Sequence, residues 1–171
     1  MEEDQNFLKV KIKFLIIILT LLLTSKSYCE KIVLEKLVEL DSPWGSSFIN
    51  NNEIIVTEKS GKIKIVNILT NQIQEVDHQL DFVVHGQGGL LDIIHKDNIV
   101  WISYTEDRGN YKTSTSIARA KLNKKKLVFK NIFQANPPID SGYHFGSRLA
   151  IKDNYIYASA GERGQGMIAQ D

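Results

Sequence analysis

Three segments of this chain repeat one another, and that repetition limits the fold more than any other feature of the sequence. They are Phe48-Ile49-Asn50-Asn51-Asn52-Glu53-Ile54-Ile55-Val56-Thr57, Ile93-Ile94-His95-Lys96-Asp97-Asn98-Ile99-Val100-Trp101-Ile102-Ser103 and Ala150-Ile151-Lys152-Asp153-Asn154-Tyr155-Ile156-Tyr157-Ala158-Ser159. Each runs from apolar residues through an Asn/Asp pair into a second apolar run that ends in Thr or Ser. Asn and Asp side chains favour tight turns, and the flanking runs are rich in the β-branched and aromatic residues that suit strands. Asn51 and Asp97 lie 46 positions apart, Asp97 and Asp153 56. A period of this size made of several short strands points to a propeller or a similar array. A Glu near a Gly follows each run, at Glu58 and Gly61, Glu106 and Gly109, and Glu162 and Gly164.

Other stretches supply the remaining strands. Lys62-Ile63-Lys64-Ile65-Val66 alternates, which buries one face and wets the other, and 116–122 does the same. Residues 105–114 are polar without strand patterning and read as a rim loop. Asn136-Pro137-Pro138 interrupts pairing. Residues 31–40 fit either strand or helix, with a break at Ser42-Pro43. The expected class is all-β, with two and a half to three four-stranded propeller blades. A blade takes ~40–50 residues, so 171 residues fall short of six, and the chain is expected to be the amino-terminal part of something longer.

Glycine-rich turns sit at three places beside these strands. Gly86-Gln87-Gly88-Gly89-Leu90-Leu91-Asp92 presents a Gln, Gly142-Tyr143-His144-Phe145-Gly146-Ser147-Arg148-Leu149 a His, and Gly161-Glu162-Arg163-Gly164 an acid. Read by themselves, Gln87 is a solvated turn residue, His144 a structural or exposed histidine, and Glu162 a surface acid paired with Arg163. The first turn has neither the lysine of a phosphate-binding loop nor a helix after it. Together the three turns can also converge on one pocket, since glycine lets backbone approach closely and adopt positive φ. His78, His85 and His95 carry no such context.

In this order the three turns resemble the glucose/sorbosone dehydrogenases, or soluble aldose sugar dehydrogenases. The resemblance covers residues 42–171, the first third to half of a typical member. It implies a six-bladed propeller that carries pyrroloquinoline quinone and oxidises the anomeric carbon of an aldose to a lactone, passing electrons to an external acceptor. It implies that His144 is the general base and also lies against the cofactor, that Gln87 binds the cofactor, and that Glu162 orients His144. An imidazole titrates near neutrality, as such a base needs, and no side chain accepts hydride, so a cofactor must. Calcium is also implied, but its ligands and the arginine that polarises the quinone are not found in this chain, and no metal site is assigned. Taken alone, such a part is expected to be inactive. The alternative is a non-catalytic exported propeller that uses its polar turns for recognition.

Lys9, Lys11 and Lys13 precede an apolar stretch at 14–23 broken only by Thr20, the pattern of an export signal rather than a spanning helix. Small residues at Ser25 and Ser27 place cleavage before Tyr28, and a second register places it before Glu30. Residues 1–29 are thus expected to be a signal peptide and 30–171 the partial propeller, in the periplasm or outside the cell. Uncleaved, the segment would anchor the chain to a membrane. Cys29 is the single cysteine, which rules out an internal disulfide and lacks the residues that precede a lipidated cysteine. Net charge is +1, so no field favours nucleic acid. Lys124-Lys125-Lys126 reads as a solvated turn.

Overall fold

A computed structural model of the chain describes Lys11, residues 13–15 and residues 31–167. It divides into Met1–Lys36 and Leu37–Asp171. Within the first unit Lys11 and residues 13–15 are helical. The proposed cleavage positions lie outside the described residues. Residues 31–40 adopt neither helix nor strand, because their charged and apolar residues alternate in no single period that would bury one face. Among the described residues no helix is long and apolar enough to cross a membrane.

The second unit is built from strands. β1 (Pro43–Asn50), β2 (Glu53–Glu58), β3 (Ile63–Asn67) and β4 (Ile73–His78) form one antiparallel meander. β5 (Leu90–Lys96), β6 (Ile99–Asp107), β7 (Thr113–Lys121) and β9 (Lys130–Gln134) form a second, and β10 (Gly146–Lys152) pairs with β11 (Tyr155–Ala160) in a hairpin. This is the expected all-β propeller pattern of two four-stranded blades and half of a third. The hairpin turns fall at the predicted Asn/Asp pairs. Asp97 and Asn98 both take φ near +60° (51° and 62°) and Asp153 takes 53°, which short polar side chains tolerate best.

β3 buries Ile63 and Ile65 on one face, but the other face is not wet as expected: Val66 is fully buried and Lys64, largely covered, pairs with buried Glu58. Ile63 and Ile65 join Ile55, Val76, Leu90, Ile93, Val100, Ile102 and Leu127 in one apolar cluster shared by the first two blades. Hydroxyls at the end of the first two repeats then lock blade to blade. Thr57 Oγ1 donates to Leu91 O of the next blade, and Ser103 Oγ donates to Ser147 O of the blade after that, at 2.7 Å. Buried Asp92 adds to the second seam by accepting Leu149 N at 2.8 Å and Arg148 Nη1 at 3.3 Å.

Two further expectations change. Half of residues 105–114 is strand, since Thr105 faces Thr115 and Asp107 faces Thr113, and only 108–112 form the loop. Thr113, Ser114, Thr115 and Ser116 are buried with their hydroxyls bonded, so a polar sequence makes a core strand. The lysine cluster is also more than a solvated turn. β8 (Lys126–Leu127) pairs in parallel with β4, across blades. Around it Lys124 Nζ pairs with Glu53, Gln74 Nε2 donates to Lys124 O, and the Gln79 amide exchanges two hydrogen bonds with the Phe129 backbone.

Candidate active site

The entry turns of the second and third blades are joined by backbone. Gly86 has φ 58°, and a Cβ there would sit 2.3 Å from Gly142 O, so only glycine fits. The close approach lets Gln87 N donate to Gly142 O at 2.7 Å. The Gln87 side chain then reaches forward, and its Oε1 accepts the His144 backbone N–H at 2.9 Å. His144 takes φ 48°, a conformation uncommon outside glycine, and this bond is part of what holds it there.

Beyond β11 the third turn brings Glu162 to the same place. His144 Nδ1 meets Glu162 Oε1, and Glu162 Oε2 accepts Gly164 N. The bond from His144, helped by backbone N–H groups, holds the Glu162 carboxyl below the usual carboxylate range. Beside a carboxylate kept in its charged form, Nδ1 carries the proton and donates, which leaves Nε2 as the basic nitrogen. The imidazole is 55% exposed and the carboxylate 27%, so the pair stands at an accessible surface. All three predicted residues, Gln87, His144 and Glu162, are thus within one constellation.

Details differ from expectation. Glu162 does not pair with Arg163, whose guanidinium is buried and faces the other way. Arg148, named beside His144 in the motif, is drawn instead to Asp92. The strand before Glu162 is largely exposed rather than buried. Gln87 Oε1 accepts from His144, which leaves its two amide N–H donors and one further lone pair for a ligand. Phe145 and Arg163 were not singled out by sequence; Phe145 is buried between Gly88 and Arg163, and an aromatic after the histidine was the available signal. A cleft of about 610 Å³ lined by Val83, Val84, His85, Asp107, Tyr111 and Asp140 lies on the approach to Gly86 but includes none of the three residues.

The donor set fits part of a quinone site. His144 Nε2 and the Gln87 amide can face a polar ligand edge. Arg163 is turned inward, away from any ligand at His144, whereas Arg148 is mostly exposed and makes one 3.3 Å contact with Asp92. Among the described residues no group of His, Cys, Asp and Glu side chains is arranged to hold a metal ion.

Residues 40–171 match the family model for glucose/sorbosone dehydrogenase. The aldose sugar dehydrogenase YliI of Escherichia coli is 29% identical over 143 residues, covering 78% of this chain and 38% of that protein. The crystal structure of the soluble aldose sugar dehydrogenase from Escherichia coli, in its apo form, superimposes with a TM-score of 0.69 at 28% identity, covering 74% of this chain and 39% of that one. A quinone-bound aldose sugar dehydrogenase from Streptomyces coelicolor shares the fold at a TM-score of 0.72 and 24% identity, over 82% of this chain and 44% of the other. The chain spans about two fifths of the length of the relatives it matches.

Proposed function

The chain belongs to the glucose/sorbosone dehydrogenase family, and on that premise we propose that it carries the general-base part of an aldose-oxidising active site. The carrying observation is the His144 Nδ1 to Glu162 contact, which turns Nδ1 to the carboxylate and leaves Nε2 for a substrate. In the reaction His144 Nε2 takes the proton from the anomeric hydroxyl of an aldose as the C1–H leaves as hydride, giving a lactone. Pyrroloquinoline quinone, when bound, supplies the hydride acceptor, and an external acceptor then takes the electrons. Glu162 keeps the imidazole in the productive tautomer and steadies it once protonated. Gln87 fixes the backbone of His144 and offers its amide N–H to ligand oxygen. Among the described residues no side-chain cluster is arranged for calcium.

The test is dye reduction by a version with a complete propeller, supplied with quinone, calcium and a panel of aldoses. Quinone-dependent reduction is expected, with loss on His144→Ala. Sugar binding without such reduction would make the propeller a recognition module. We also propose export, with the mature chain starting at Tyr28 or Glu30; N-terminal sequencing that returns Met1 from a membrane fraction would contradict it.

A further inference from the structure

Arg163 is a buried cation whose guanidinium has no ion-pair partner among the described residues. Only 6% of it is exposed, and burial pulls its pKa below the ordinary guanidinium value although an arginine stays charged. Its partners are backbone carbonyls, a hydroxyl and a ring. Nε donates to Tyr143 O at 3.0 Å, Nη1 to Thr113 O at 2.9 Å, and Nη2 to Thr113 Oγ1 at 2.7 Å and to Ser141 O. Its Cζ lies 3.7 Å from the centre of the Phe145 ring.

These contacts converge on one peptide unit. The group joining Tyr143 to His144 has its carbonyl held by Arg163 Nε and its N–H held by Gln87 Oε1. Both ends of the plane are therefore fixed, from two different turns, where His144 takes its left-handed φ. A strained residue persists only when its surroundings over-determine it. Arg163 has φ 58°, so successive side chains of its turn diverge. The Glu162 carboxylate goes out to His144 while the guanidinium goes inward under the histidine turn. One residue thus ties the backbone that bears the imidazole to the turn that bears its partner.

We propose that Arg163 is a positioning residue for the His144–Glu162 pair, its guanidinium fixing the 143–144 peptide and the Glu162 turn in one arrangement. The importance of this for turnover rests on the reading of His144 as base; the geometric claim does not. A buried charge is weak evidence for a stability role, since apolar replacements are often neutral. The planar fork, which lysine cannot imitate, is what four acceptors in one shell require.

The experiment is nitrogen NMR of the full chain without quinone or sugar. Wild type should show His144 as the Nδ1-protonated tautomer, with slow exchange of its backbone amide despite an exposed side chain. In Arg163→Lys and Arg163→Met, amides of β6 and of β7 beyond Ser116 should keep their wild-type shifts, while His144 becomes a mixture of tautomers and its amide exchanges roughly tenfold faster. A folded Arg163→Lys that keeps both His144 signatures overturns the proposal. Should neither variant fold, Thr113→Val removes one acceptor and leaves the guanidinium in place. It should quicken His144 amide exchange about threefold, and an unchanged rate there also overturns the proposal. With a complete propeller, Arg163→Lys should lower turnover by roughly 10–100-fold with sugar KM near normal. Lost NMR signatures with normal turnover would uphold the positioning and remove the base role of His144.

Discussion

Gly88 and His144 hold the same place in successive repeats. Around each, the same bonds recur: Thr105 N donates to Gly89 O in the second blade and Gly161 N to Phe145 O in the third, and both inner strands shift register at the same point. What differs is which side carries bulk. In the second blade the turn residue is glycine, and a Cβ there would meet Thr105 Oγ1 at 2.4 Å. In the third blade the turn residue is histidine, and its opposite is Gly161, where a Cβ would meet His144 O at 1.8 Å. The glutamates beyond diverge in the same way. Glu106 remains inside its sheet and accepts Ser116 Oγ, Asn131 Nδ2 and Gln134 Nε2, whereas Glu162 follows the end of β11 and reaches His144. The repeat supplies the frame, and its exchange of glycine for side chain within one hairpin makes room for the His144–Glu162 pair.

The largest effect should come from restoring the symmetry. His144→Gly gives the third turn the residue of the second, and in a complete propeller turnover should fall by ~10²–10⁴. Unfolding by urea should barely change, as the imidazole is half exposed. Normal turnover would mean that the exchange of bulk has no chemical purpose. Next, Gly161→Ala puts a methyl into His144 O, and should cost about 1–3 kcal/mol of stability by denaturant unfolding. An unaltered midpoint would show that the turn yields freely.

Glu162→Gln sharpens the contrast of the acids. The imidazole keeps a partner but loses the charge that steadies its protonated form, and turnover should drop about tenfold. The pH sign follows from the depressed Glu162 pKa. Its stabilising contribution is complete above the ordinary carboxylate value and disappears as pH falls through the lower folded value. A carboxyl carbon titration by NMR that gives a value at or above the ordinary one would contradict this. Glu106→Gln, the smallest, should cost about 1 kcal/mol for weakened hydrogen bonds and leave turnover untouched. A loss of turnover would place the second blade's acid in the chemistry.

Hairpins and inner strands were legible because Asn/Asp turns and alternating apolar residues such as Ile63 and Ile65 leave a periodic mark. The strand through Thr113 to Thr115 was not, because its hydroxyls are satisfied by hydrogen bonds, and burial of a bonded hydroxyl leaves no apolar pattern. The convergence of Gln87, His144 and Glu162 was legible from glycine-rich turns and family likeness. The bond from Gln87 to the His144 backbone was not, since it depends on the approach of Gly86 to Gly142. Nor was the burial of Arg163, which uses carbonyl partners that any residue possesses. Glu58 shows the same limit. It is wholly buried, and although burial alone would raise its pKa, the Lys64 ammonium and the Asp41 N–H hold it low.

The strap formed by β8 sets a timetable for synthesis. The Asp77 amide donates to Lys125 O, so the outer edge of the first blade is closed by residues that leave the ribosome roughly 50 positions later, at ~5–20 residues per second. For those few seconds β4 has an open edge, the feature that invites wrong pairing. Pulse-labelled exchange on refolding should show the Asp77 amide gaining protection together with β7, not with β3. The first blade is thus finished by its successor, and until that strand docks a neighbouring chain can take its place.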